Sequence, residues 1–291
     1  MSLYPARFDY HAPSSLDEAV GLLARLDGAK ILAGGASLIP LMKLRLAEPG
    51  HLVDINRIAG LDRIEAQDGE LRIGTLVREA ALGGSDWAAA LPILGDACAV
   101  IADPLVRNTG TIGGNLAHGD PANDHPAVML ALDAAIHVAG PTGARAIRAA
   151  DFHLDVLQTA LDAGEILTEI RIPLPAPGTG SAYVKFARQV GDFAIAAAAA
   201  VIRLDAAGRV EHVAVAFTNL APTPVRSPAI EAAVVGRVPD ATTLAGAVGE
   251  VCEIDPWDDL RTTAEVKRRM ARAVAERALR LATSRARSDE A

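Results

Sequence analysis

Two glycine-paired segments carry the chemistry of this 291-residue chain. The first, Ala33-Gly34-Gly35-Ala36-Ser37, ends an apolar run, and the second, Thr111-Ile112-Gly113-Gly114-Asn115, follows about eighty residues later. Each presents backbone N–H groups unobstructed by side chains, which are the donors that the acceptor oxygens and negative charge of a dinucleotide pyrophosphate require. A single Gly-Gly pair is most often a plain turn, so the reading rests on the pairing: two such segments can close on one cofactor from two sides. Neither fits G-x-G-x-x-G, because Gly110, Gly113 and Gly114 are wrongly spaced, and neither has the Gly-Lys-Ser/Thr of a P-loop. His118 and His125 flank the turn at Asp120 without a third ligand at metal spacing, and Gly-x-Ser-x-Gly is absent, so neither a metal nor a nucleophile is assigned.

The elements that must position these segments follow from periodicity. Ser15-Leu16-Asp17-Glu18 is a capping box, and Leu16, Ala19, Val20 and Leu23 continue it as a helix to about Asp27, which Gly28 ends. Lys30 to Ala33 is a short strand opening into the first glycine segment. Ser37 then caps a helix carrying Leu38, Leu41, Met42 and Leu44, which gives a strand, turn, helix unit. Residues 51–55 and 70–75 read as strands, residues 78–82 and 91–101 as helices, 126–132 as a helix and 135–139 as a strand. The proline- and glycine-dense run from Pro173 to Gly180 marks a domain boundary. Beyond it come three strands, 182–188, 193–204 and 210–218, then helices at 228–234, 241–252 and 264 to about 284. The alanine run Ala196 to Ala200 within the second strand reads as tight packing.

Composition sets the class. A hydrophobic content of 51% supplies one or two packed cores, and a net charge of −8 argues against a nucleic-acid or anionic-membrane partner. Cys98 and Cys252 share no C-x-x-C pairing, so this chain alone builds no disulfide framework, zinc site or iron–sulfur cluster, and both cysteines read as buried small hydrophobes. The N-terminal residues lack a signal-peptide pattern, and the longest apolar stretch, about ten residues from Phe193 to Ile202, falls short of the roughly 20 needed to span a bilayer. The expectation is a soluble cytoplasmic protein.

Three stretches carry a family resemblance. Residues 31–40 (Ile-Leu-Ala-Gly-Gly-Ala-Ser-Leu-Ile-Pro), residues 103–115 (Asp-Pro-Leu-Val-Arg-Asn-Thr-Gly-Thr-Ile-Gly-Gly-Asn) and Asp120-Pro121 with Asp124 resemble the FAD-binding medium subunit of molybdenum hydroxylases, the family of carbon monoxide dehydrogenase and bacterial xanthine dehydrogenase. The resemblance continues through residues 182–188 and 191–194, and so covers nearly the whole chain. It implies an α+β fold with a PCMH-type (p-cresol methylhydroxylase-like) FAD-binding domain over residues 1–175, in subdomains of about 1–57 and 58–175. A carbon monoxide dehydrogenase flavoprotein-like C-terminal domain, with a three-stranded antiparallel sheet and helices, would then occupy 181–285.

Carried over by position, Leu32, Ala33, Gly34, Gly35, Ala36, Ser37, Leu38 and Ile39, with Thr111, Ile112, Gly113, Gly114 and Asn115, would hold the pyrophosphate and ribityl region of FAD, and Ile101 and Leu167 would join them. Asp124 would accept hydrogen bonds from sugar hydroxyls, its alternative role being an N-terminal helix carboxylate before Pro126. Lys185 would set a cation near the flavin, the alternative being an exposed strand lysine, and Asp192 and Phe193 would approach the ring, with a core aromatic as the alternative for Phe193. Ala36 departs from relatives with a polar side chain there, which removes one contact and leaves the backbone donors.

The resemblance further implies partners: a small iron–sulfur subunit delivering electrons, and a large molybdopterin subunit holding the substrate, with NAD, a quinone or oxygen as the acceptor. Carbon monoxide, purines, aldehydes and N-heterocycles are all compatible substrates. Two other readings stand beside this one. A self-sufficient flavin reductase or oxidase would need acid–base residues above the flavin, for which the C-terminal part offers only Lys185, Arg188 and Asp192; a scaffold without FAD would not need both glycine segments.

Overall fold

The computed structural model describes residues 4–288, the Cys252 side chain excepted. Near the N-terminus, strands Asp9–His11 and Lys30–Leu32 flank His51–Asp54, all parallel, in a three-stranded sheet. Helix Leu16–Arg25 covers it; the Ser15 hydroxyl accepts from the Glu18 N–H at 3.2 Å, and Gly28 turns the chain back with a φ of +65°. This unit has its own small core around Ala19, Val53, Ile55 and Leu76.

A five-stranded antiparallel sheet follows, in the order Ile64–Gln67, Glu70–Gly74, Ile166–Pro173, Ala135–Gly140, Gly143–Arg148. Helices Pro92–Val100, Ile112–His118 and His125–Ala131 lie in the second core beside it. The C-terminal sheet runs Thr179–Phe186, Ala196–Leu204, Val210–Thr218, Val225–Arg226, all antiparallel, and helix Ala264–Ser288 packs across it.

The alanine run explains itself in this arrangement. Ala197 and Ala199 face the second core and Ala196, Ala198 and Ala200 face the C-terminal helix, so the strand is covered on both sides and larger side chains would push the layers apart. Gly180 is the extreme case, since a Cβ there would sit 2.0 Å from the Ala282 carbonyl oxygen of that helix.

The expected elements differ from the structure in four places that matter. The C-terminal sheet has a fourth, two-residue strand rather than three strands. Residues 193–195 belong to a loop, and the strand begins at Ala196. Helix 241–252 is split into Ala241–Ala247 and a 3-10 turn, Val248–Glu253. The second glycine segment is no turn: it is the first turn of helix Ile112–His118, with Thr111 as its cap.

Candidate functional site

The first glycine segment leaves the C-terminal end of strand Lys30–Leu32, and Gly35 takes a φ of +74°, a conformation that only glycine adopts at little cost. Among the described residues, the N–H groups of Gly34, Gly35, Ala36 and Ser37 meet no protein acceptor. Ser37 precedes helix Leu38–Lys43 without the expected side-chain cap, because its backbone is already helical. These four donors therefore stand open in a row.

The second segment behaves otherwise. Four of its five N–H groups are engaged: Ile112 donates to the Val77 carbonyl at 3.0 Å, Gly113 to that of Thr75 at 3.1 Å, Gly114 to the Thr111 hydroxyl at 3.1 Å and Asn115 to the Thr111 carbonyl at 2.9 Å. Its glycines serve close approach instead. A Cβ on Gly113 would lie 1.8 Å from the Thr75 hydroxyl, and one on Gly34 would lie 2.1 Å from the Thr109 carbonyl oxygen, so the first segment packs against the residues just ahead of the second. The polar group that the second segment offers is a side chain: Asn115 Oδ1 is buried and without a partner.

Between the segments lies a cleft of about 570 Å3. Of the residues expected at a cofactor, Ala33, Gly34, Gly35, Ala36, Ser37, Leu38, Ile101, Thr111, Gly113, Gly114, Asn115, Asp124, Leu167, Lys185, Asp192 and Phe193 line it. Leu32, Ile39 and Ile112 do not. Leu32 and Ile39 instead close over the outer side of Gly35, within 3.3 Å of where its Cβ would be, and Ile112 is fully buried in the second core. Thr75, Glu79, Ala102, His118, Asn123 and Gly191 also line the cleft, and no glycine pattern points to them. Burial holds the His118 imidazole below its usual value.

At one wall Lys185 and Asp124 form an ion pair of 3.0 Å, with side chains only 5% and 6% exposed. Lys185 also donates to the Val100 carbonyl at 3.1 Å, and the Tyr183 hydroxyl donates to Asp124 Oδ1 at 2.7 Å. Lys185 is thus no exposed strand lysine, and Asp124 caps no helix through its side chain. Burial pushes the Asp124 carboxyl up, with the Lys185 ammonium the chief opposing influence, and burial likewise drives the Tyr183 phenol well up. Since the ammonium is already matched by a carboxylate, the pair brings no net charge to the cleft.

Behind the same wall, Glu79, Cys98 and His125 meet from three helices. His125 Nε2 lies 2.6 Å from Glu79 Oε2, and the Cys98 thiol donates toward that oxygen at 3.6 Å. Burial opposes a charge on His125, yet the Glu79 carboxylate overrides it and holds the imidazole well above its ordinary value; burial raises the Cys98 thiol. Spacing along the chain did not reveal Glu79 and Cys98 as companions of His125. As it stands the group is a buried ion pair, Glu79 with His125 at 2.6 Å.

At the mouth of the cleft, residues 187–195 form a loop in which Gly191 has a φ of +91° and Phe193 is 42% exposed rather than a core aromatic. The Arg261 guanidinium stacks 4.9 Å from the Phe193 ring centre. The Asn219 amide fixes the loop's end by donating to the carbonyls of Ala194 at 2.8 Å and Ile195 at 3.2 Å.

A parallel-stranded glycine loop with open N–H groups, a capped helix opposite and a cleft between them, carried beside a helix-covered antiparallel sheet, define a flavin-binding subunit. The chain belongs to the family described as the FAD binding domain in molybdopterin dehydrogenase, matched over residues 6–175, and residues 181–282 match the carbon monoxide dehydrogenase flavoprotein C-terminal domain. It is the FAD-binding medium subunit of a molybdenum hydroxylase complex, and so a subunit of an oxidoreductase.

Within that family it is similar to the carbon monoxide dehydrogenase medium chain of Hydrogenophaga pseudoflava, 44% identical over 97% of this chain and 99% of that one. The corresponding chain of Afipia carboxidovorans is 44% identical over 98% of this chain and 100% of its own length. The structure superposes with a TM-score of 0.93 on a chain of H. pseudoflava carbon monoxide dehydrogenase lacking the Mo-pyranopterin moiety, at 45% identity, covering 97% of this chain and 99% of that one.

Proposed function

We propose that this chain carries electrons from a small iron–sulfur subunit through FAD to an external acceptor such as NAD, a quinone or oxygen, while substrate is oxidised at molybdopterin in a large subunit. The observation that carries the reading is the cleft itself: it is lined by the four open N–H groups of the first segment and by Asn115, whose side-chain Oδ1 has no protein partner. A pyrophosphate needs donors and sugar hydroxyls need acceptors, so these residues fit FAD, which when bound exchanges electrons singly or in pairs. Gly34 to Ser37 would hold the pyrophosphate, Asn115 and Asp124 the hydroxyls, and the Lys185–Asp124 pair would keep the wall neutral. Phe193 would limit access at the mouth. Glu79, Asp124 and Lys185 in the cleft are tied into ion pairs, as suits an electron carrier without substrate chemistry of its own. Among the described residues no helix is long and apolar enough to cross a membrane, and we place the complex in the cytoplasm.

The test uses the complex with its flavin selectively removed. Substrate should still bleach the iron–sulfur absorbance while turnover with the external acceptor falls at least a hundredfold and returns with FAD. Undiminished turnover in the flavin-free complex would contradict the reading.

A further inference from the structure

One dinucleotide can reach both glycine segments only if their separation is fixed, and the first leaves a strand of the parallel sheet while the second opens helix Ile112–His118. Outside the cleft, two side chains join them. Arg78 forms an isolated antiparallel bridge with Thr111, flanked by the Glu79 N–H donating to the Gly110 carbonyl at 3.1 Å and the Ile112 N–H to that of Val77 at 3.0 Å. Its backbone is thereby tied to the second segment. Its guanidinium Nη2 donates to Asn56 Oδ1 at 2.6 Å, and Asn56 Nδ2 donates in turn to the Ala33 carbonyl at 2.9 Å, in the first segment. Asp54 Oδ1 steadies Asn56 by accepting from its N–H at 2.9 Å and from Nδ2 at 2.6 Å, and Tyr10 holds the other Asp54 oxygen. Two side-chain hydrogen bonds thus span the distance from Thr111 to Ala33.

The Gly34 backbone also packs against Thr109 and Gly110 at the near side of the same seam. A separate cavity of about 310 Å3, lined by both Asn56 and Arg78, opens along the same seam, so the seam has room to shift if the link is cut. Arg78 Nη1 is buried without a protein partner, so the guanidinium is held on this side through Nη2 alone.

We infer that Arg78 and Asn56 are positioning residues that set the separation of the two glycine segments and thereby the affinity for FAD. The inference rests on the reading of the cleft as the FAD site. Neither side chain lines that cleft; they act through Ala33 and Thr111.

The experiment measures FAD dissociation constants by flavin fluorescence, and flavin-free thermal midpoints, for the full chain and for Asn56→Ala, Arg78→Met and the double variant. Asn56 is exposed, so its replacement leaves the cores untouched and keeps the test alive if Arg78→Met fails to fold. Each single variant should weaken FAD binding about tenfold, the loss of one charge-assisted hydrogen bond. The double variant should be no worse than the weaker single, because the bonds lie in series, and the flavin-free midpoint of Asn56→Ala should match wild type. Unchanged affinity in Asn56→Ala, additive losses, or a lowered flavin-free midpoint that accounts for the affinity loss would overturn the inference. A wild-type chain that binds no FAD would overturn instead the reading on which it rests.

Discussion

Replacing Lys185 by methionine would leave Asp124 as a buried carboxylate with only the Tyr183 hydroxyl as partner. The two charges lie 3.0 Å apart with about a twentieth of each side chain exposed. At an effective dielectric of about 20 that separation corresponds to about 5 kcal/mol of attraction. Much of this offsets desolvation, and stranding one member of such a pair costs about 3–5 kcal/mol. Asp124→Asn should cost less, since Lys185 keeps the Val100 carbonyl, and the double variant should recover at least half of the Lys185→Met loss, a coupling of about 2 kcal/mol or more.

The pH dependence has a definite sign. In Lys185→Met the Asp124 carboxyl titrates above its unfolded value of 3.8, because burial raises it and its chief opposing influence is gone. The protonated form is then the stable one, so the deficit is smallest near pH 4 and grows as the pH rises through the folded value. Urea unfolding of the flavin-free chain measures it, with Trp87, which packs on the second core, as reporter and Trp257 replaced by phenylalanine. Single losses that simply add in the double variant, with coupling below about 0.5 kcal/mol, would refute the pair as an energetic unit.

Three further outcomes follow from the geometry. Gly113→Ala should destabilise by about 2–3 kcal/mol, because its Cβ would meet the Thr75 hydroxyl at 1.8 Å, whereas Gly246→Ala, in a helix with open space around it, should be neutral or stabilising; equal midpoints in the two variants would remove the close-approach argument. Asn115→Ala should weaken FAD binding about tenfold without lowering flavin-free stability, since it deletes an acceptor the protein leaves unmet; calorimetric titration beside a melting curve decides this. His153 is buried, donates from Nε2 to the Leu116 carbonyl at 3.1 Å, and is held by burial at about 4 against an ordinary 6.5. The unfolded chain therefore takes up that proton first, and stability should fall by up to about 3 kcal/mol between pH 6.5 and pH 4, with His153→Gln flattening this part of the profile; parallel profiles would exclude His153 as the cause.

What the sequence reveals is local. The capping box at Ser15 and the strand into Gly34 both depend on neighbours in the chain. Helix Ile112–His118 escapes such reading because two of its first three residues are glycines of low helix propensity, and only the Thr111 cap and the pairing with Thr75 and Val77 make it a helix. Strand Asp9–His11 escapes because its pattern is polar and largely exposed. Phe193 joins an apolar run that looks like strand, yet the Asn219 amide takes the carbonyls of Ala194 and Ile195 and the strand begins only at Ala196. The glycine segments mark the cleft, while its electrostatics come from partners far apart in sequence: Asp124 with Tyr183 and Lys185, and His125 with Glu79 and Cys98. No spacing rule ties those residues together, since the Asp124 contacts exist only once the C-terminal sheet packs on helices Pro92–Val100 and His125–Ala131, and those of His125 only once three helices meet.

The central claim is that the cleft between the glycine segments holds FAD, and FAD content per chain tests it most directly, measured on the purified complex and on the same complex carrying Ala36→Phe, whose ring would fill the cleft beside the open N–H groups. One FAD per chain in the native complex, and almost none in an assembled Ala36→Phe complex, is the predicted result. A native complex without flavin, or full flavin content in Ala36→Phe, would contradict the account.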